Sequence, residues 1–183
     1  MTQFETHTIE TAPEGSKKIL EGATAKYTFL PNLLGKMAEA PATLEAYVTL
    51  AGIFDKANLS VTERQVIMMT VNRLNGCTYC MAAHSKISKM TGVADDVIEA
   101  LRNNTAIADP KLEALRQFTI AMNEKRGWPS DGDVQAFLAA GYTKQTMLEV
   151  VLGISYKTIS NFTNHLAQTP VDEAFSADAW EAA

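Results

Sequence analysis

Long apolar runs, clusters of positive charge and alternating apolar–polar stretches are all missing from this 183-residue chain. No apolar segment approaches the ~18 residues that a membrane-spanning helix needs. The chain has 16 Lys and Arg against 21 Asp and Glu, a net charge of −5, and no basic run. The electrostatic footprint of a nucleic-acid-binding protein is therefore absent. Met1 to Lys18 has no basic stretch followed by an apolar one, so no secretory signal is read there. An ordinary cytoplasmic protein is expected. Without period-two alternation no strand is expected either, and the fold class reads as all-α.

Cysteine and histidine are scarce as well, at two and three. Both cysteines and one histidine fall in a single stretch, Asn75-Gly76-Cys77-Thr78-Tyr79-Cys80-Met81-Ala82-Ala83-His84. In a reducing compartment a permanent structural disulfide is disfavoured. Two thiols this close point to redox or metal chemistry instead. The hydrophobic fraction, 46%, suits one compact domain with a real core, or a helical unit that completes its core against a partner subunit.

The chain divides into an extended arm over 1–15, a single helical domain over 16–169 and an acidic tail over 170–183. Ser16 to Phe29 reads as a first helix, interrupted by Pro31, with a short turn through Leu33, Leu34 and Met37. Pro41 opens a helix carrying Leu44, Tyr47, Val48, Ala51 and Phe54. Ser60-Val61-Thr62-Glu63 is a capping box. The helix after it is apolar on more than one side, so it is expected to be buried. Asn75-Gly76 ends it. The next helix begins at Cys77 or Thr78 and runs to about Met90. Further helices are expected over Asp95–Leu101, from Pro110 to Met122, and from Ser130 or Asp131 to Gly141. The last begins at Thr143 and ends at Pro170, with Met147, Val150, Val151, Ile154, Ile159, Phe162 and Leu166 as its expected core face.

At the start of a helix, free N–H groups and the positive end of the dipole favour a thiolate at Cys77. Cys80 is one turn on, so the two sulfurs can meet. His84 lies one turn above Cys80 on the same face, where an imidazole can take the thiol proton or stabilise the thiolate. If the preceding helix folds back at Gly76, His84 lies opposite Met68. Gln65 is then about 4.5 Å further along the axis, within reach of the imidazole. Other readings stand beside this one. The cysteines can be two buried small hydrophobes, or, with His84, three ligands of a zinc site that His7 or His165 completes. Met68, Met69 and Met81 read as core filling. Trp128 and Trp180 are candidates for a subunit contact.

Leu59-Ser60, Glu63-Arg64-Gln65 and the Asn75-Gly76-Cys77-x-x-Cys80-x-x-x-His84 pattern resemble the superfamily of alkylhydroperoxidase AhpD and carboxymuconolactone decarboxylase. The likeness is strongest over 59–90, and Asn161-Phe162-Thr163-Asn164-His165 is similar to peroxidase-related members. The resemblance implies an all-helical AhpD-like domain and a homo-oligomer, and it calls for no cofactor or metal. It implies a small hydroperoxide as substrate and a dithiol or lipoyl-type reductant. It assigns Cys80 as the attacking thiol, Cys77 as the resolving one and His84 as base or relay. Gln65, Glu63, Tyr79 and His165 are the further candidates for relay or site lining. Well-studied AhpD proteins carry glutamate at the position of Gln65 and histidine at that of Tyr79. An amide cannot raise the basicity of the imidazole as a carboxylate does. The decarboxylase branch usually lacks the cysteine pair, which argues against decarboxylation.

Overall fold

The computed structural model describes residues 3–181, so positions 1–2 of the expected arm and 182–183 of the expected tail lie outside the described residues. Helices follow one another in the order α1 (Glu14–Tyr27), α2 (Asn32–Met37), α3 (Pro41–Phe54), α4 (Val61–Leu74), α5 (Thr78–Met90), α6 (Asp95–Asn103), α7 (Pro110–Glu124), α8 (Asp131–Ala139) and α9 (Lys144–Ala167). A 3-10 turn over Glu173–Asp178 follows. Among the described residues there is no strand, and no helix is long and apolar enough to cross a membrane.

The boundaries have local causes. Ser60 Oγ accepts the amide of Glu63 at 3.2 Å while the Glu63 carboxylate accepts that of Ser60 at 2.8 Å, a reciprocal cap of α4 worth about 1 kcal/mol. Ser130 and Asp133 form the same box at α8, and Thr143 caps α9. Pro41 and Pro110 occupy first turns, where a missing N–H costs nothing. Gly76 takes a φ of 65°, a left-handed conformation that turns the chain from α4 into α5.

α4 is the central helix. Every residue from Gln65 to Asn72 is buried, because α4 packs against α5, α6, α7 and α9 at once. The 3-10 turn lies along the outer side of α5. Tyr79 Oη donates to Asp172 at 2.5 Å, Lys89 pairs with Asp178 at 2.6 Å, and Trp180 lies over Arg73 at 5.1 Å. The tail and Trp180 are thus held by this chain itself. So is the arm: the His7 amide bonds to the Gly35 carbonyl at 3.1 Å and its Nε2 meets Glu39 at 2.9 Å. Trp128 is exposed.

α9 departs from the sequence reading. Val150 is buried and Met147, Ile154 and Ile159 are half-buried, but Val151, Phe162 and Leu166 face outward, with 59% of Phe162 and 70% of Leu166 accessible. The inward face is instead Gly153, Tyr156, Lys157, Ser160, Asn161 and Asn164. A polar face can be buried here because its groups find polar partners on α4 and α5, which hydrophobic periodicity does not register.

Gly153 lets α9 approach α3 and α4 closely. A Cβ there would lie 2.7 Å from Ile67 Cγ2 and 2.9 Å from Phe54 Cζ. Gly153→Ala is expected to lower stability by about 1–3 kcal/mol in urea unfolding, since both neighbours are packed. Gly22→Ala, in a helix with open space around it, is expected to raise stability by about 0.5–1 kcal/mol.

Candidate active site

Three helices build the site: α4 gives Gln65 and Asn72, α5 gives Cys77, Cys80 and His84, and α9 gives Lys157, Ser160, Asn161 and Asn164. Cys77 is the N-cap of α5, its sulfur accepting the Cys80 amide at 3.4 Å. Both cysteines are free thiols and each is only 1% accessible. Asn164 Nδ2 donates to Cys80 Sγ at 3.2 Å and lies 3.7 Å from Cys77 Sγ, so one amide spans the pair. Ser160 Oγ is 3.7 Å from Cys80 Sγ and Lys157 Nζ is 3.9 Å from it. An amide chain fixes the frame behind them. Asn75 donates to Asn161 at 2.9 Å, Asn161 to Asn72 at 2.9 Å, and Asn72 to the Cys80 carbonyl at 3.3 Å.

His84 is reached from both sides. Its Nδ1 is 2.9 Å from Gln65 Oε1 and its Nε2 is 3.0 Å from Lys157 Nζ. An ammonium can only donate, so Nε2 accepts and the ring proton sits on Nδ1, where the amide oxygen takes it. Burial and then the Lys157 charge hold the imidazole well below its ordinary value, and it is neutral. For Cys80, burial opposes ionisation. The hydrogen bond with Cys77 and the Lys157 charge, with Ser160 and Asn161 behind them, outweigh it and bring this thiol down to about 5. Cys77 moves the other way, pushed up by its hydrogen bond to Cys80 and then by burial. The pair thus divides into a thiolate and a thiol that donates to it.

Two features bear on substrates. Asn164 Oδ1 is buried without a partner beside the sulfurs, an open acceptor for an incoming hydroxyl. A cavity of about 490 Å³ between α7 and α8, lined by Pro110, Phe118, Asp133 and Phe137, holds none of the site residues.

Of the expected residues, the structure brings Cys77, Cys80, His84 and Gln65 together. It does not bring Glu63, Tyr79 or His165 into the cluster. Glu63 is taken by the α4 cap. Tyr79 points its hydroxyl to Asp172. His165 is exposed, one residue past Asn164 on α9. His7 is bound to Glu39 and Thr11. Among the described residues no three His, Cys, Asp or Glu side chains converge on a metal position. Sequence reasoning missed Lys157 and Ser160, and saw Asn161 and Asn164 only as part of a familiar closing motif. Their one signal was four polar residues at 157, 160, 161 and 164, a helical period opposite the apolar stripe.

The carboxymuconolactone decarboxylase family model matches residues 39–121. No curated protein matches the chain. Among solved structures, a peroxidase-related protein with an alkylhydroperoxidase AhpD core from Ralstonia eutropha JMP134 superposes with a TM-score of 0.84 at 18% identity, covering 94% of this chain and 93% of that one. A peroxidase-related protein from Silicibacter sp. TM1040 gives 0.79 at 18% identity, covering 96% and 97%. The debrominase Bmp8 in complex with 2,3,4-tribromopyrrole gives 0.79 at 19% identity, covering 97% and 96%.

The thiolate has a measurable signature. Ultraviolet thiolate absorbance of the folded protein is expected to titrate with a midpoint near pH 5 and to vanish in Cys80→Ser. A folded value of about 5 against an ordinary 9.0 means the unfolded chain binds the extra proton between those values. Stability from Cys80 is therefore present at high pH and lost as pH falls towards 5. Urea unfolding of wild type and Cys80→Ser at pH 5 to 8 checks this, the wild type gaining stability with pH relative to the variant.

Proposed function

We propose that this chain, matched over 39–121 by the carboxymuconolactone decarboxylase family model and sharing its fold with an AhpD-core protein, belongs to that superfamily and uses its thiol pair for hydroperoxide reduction through a dithiol–disulfide cycle. The observation that carries this reading is the low-lying thiol of Cys80, beside the Lys157 ammonium and within hydrogen-bonding reach of Cys77. Only a thiolate attacks peroxide, and a neighbouring thiol turns the product into a disulfide. The Cys80 thiolate attacks the outer oxygen of the hydroperoxide, the O–O bond breaks, and an alcohol leaves once a proton is supplied. Cys80 becomes a sulfenic acid. The Cys77 thiol then displaces its hydroxyl as water and closes the disulfide. A dithiol or lipoyl-type donor returns two electrons and the missing protons. In this reading Asn164 holds the substrate, its Nδ2 on the sulfurs and its Oδ1 accepting the hydroperoxide O–H, a role that its Nδ2 contact and unpartnered Oδ1 support.

The sulfurs are buried, so a substrate enters as side chains part; Gln65 and His84 keep 5% and 7% of their surface accessible. A cytoplasmic, homo-oligomeric protein fits this chemistry and the outward apolar residues of α9. A disulfide-transfer or redox-sensing protein with little peroxide turnover is the second reading, favoured by that same burial.

Stopped-flow mixing of the reduced protein with organic hydroperoxides tests the choice. Wild type is expected to consume peroxide and lose both thiols. Cys80→Ser should fall to the background rate, and Cys77→Ser should stop after one turnover with a trappable sulfenic acid. Equal rates in wild type and Cys80→Ser overturn the peroxidase reading. A reversible disulfide without peroxide turnover selects the transfer reading. Bromide release from 2,3,4-tribromopyrrole, run in parallel, selects a halogen as the electrophile.

A further inference from the structure

We propose that Lys157 is the counter-ion of the Cys80 thiolate and the acid that protonates the departing alkoxide, and that Gln65 makes this possible by keeping His84 a neutral, hydrogen-bond-accepting ring. The counter-ion part stands on geometry alone. The acid part rests on the peroxidase reading.

Lys157 sits in the middle of α9 and is 1% accessible. A buried ammonium is tolerated only when paired. Among the described residues no carboxylate forms an ion pair with it. Its polar neighbours are Cys80 Sγ at 3.9 Å and His84 Nε2 at 3.0 Å, with the Tyr156 ring 5.2 Å away. The titratable groups facing it are Cys77, Cys80 and His84 of α5 and Tyr156 of α9, with Tyr47 of α3 behind Tyr156 at 3.1 Å. Gln65 of α4 is uncharged. The thiolate is the single anion this set can supply.

Both nitrogens of His84 are engaged away from sulfur, Nδ1 by Gln65 and Nε2 by Lys157. The ring therefore does not take the Cys80 proton; it is a positioning residue that holds Nζ. A carboxylate at position 65 would draw a second proton onto the imidazole. An imidazolium would then face an ammonium across 3.0 Å, a like-charge contact that drives one of the two protons off. The amide at 65 and the lysine at 157 are thus a matched pair. The proton balance follows: as the O–O bond breaks, the electron pair goes to the alkoxide and a Nζ proton joins it, leaving alcohol and a neutral amine. The dithiol that later reduces the disulfide returns that proton.

Nitrogen NMR of labelled wild type comes first, because it needs no variant. The expected result is a neutral His84 with its proton on Nδ1 at neutral pH; an imidazolium there overturns the proposal. Lys157→Met is expected to raise the Cys80 thiolate midpoint by about 1–3 units, and an unchanged midpoint overturns it. Gln65→Glu added to Lys157→Met should bring the midpoint back down, by charging His84. Lys157→Arg keeps the charge but gives up its proton less readily, so it should retain the thiolate and lose about 100-fold in the single-turnover rate with hydroperoxide. An unchanged rate there removes the acid role. If wild type consumes no hydroperoxide, the acid role falls with the peroxidase reading, while the thiolate midpoints still decide the counter-ion role.

Discussion

A buried cation with no carboxylate to meet it is the constraint around which the interior is arranged. Lys157 enters the core on α9 and has to be neutralised by something near it. The answer is a sulfur. Cys80 is brought to it by α5, which in turn is set by the Gly76 turn and the Cys77 cap. Asn164, Ser160 and the amide chain through Asn72 and Asn161 complete the cage. Remove the charge, and the Cys80 thiolate keeps only its hydrogen bonds, from Cys77 first and then from Ser160 and Asn161, to set against burial, while His84 Nε2 loses its donor.

Most of the fold was legible in the sequence, because helix ends are written locally. Ser60 with Glu63, Pro41, Pro110, Ser130 and Thr143 all mark the boundaries that the structure shows. The approach of Gln65 to His84 was legible too, from nothing more than a hairpin turning at Gly76. The other half of the site was not. Lys157 stands 77 residues beyond Cys80, and no local rule links them. A lysine in the middle of an amphipathic helix ordinarily belongs to its solvated face. Here the apolar stripe pointed to the wrong side, because Phe162 and Leu166 are outside and the polar residues within.

That inversion explains how one helix can serve as the wall of a chemical site. An apolar inward face would have packed as well against α4 and α5, but it would have left Cys80 an ordinary buried thiol, pushed up rather than down. The polar face costs desolvation, which the amide chain and the two ring contacts of His84 offset. The tail adds its support from the far side of α5, where Asp172 and Phe175 take up Tyr79.

Cys77 has a second duty that follows from its place as the first link of α5. The hydroxyl or carboxylate usual at such a position is chemically inert, whereas this acceptor is a sulfur. Whatever alters that atom, whether a proton, an oxygen, a bond to Cys80 or an alkylating reagent, also alters how firmly the helix begins. The electronic state of one atom is thereby written into backbone order, and the amide of Cys80 is where hydrogen exchange would read it.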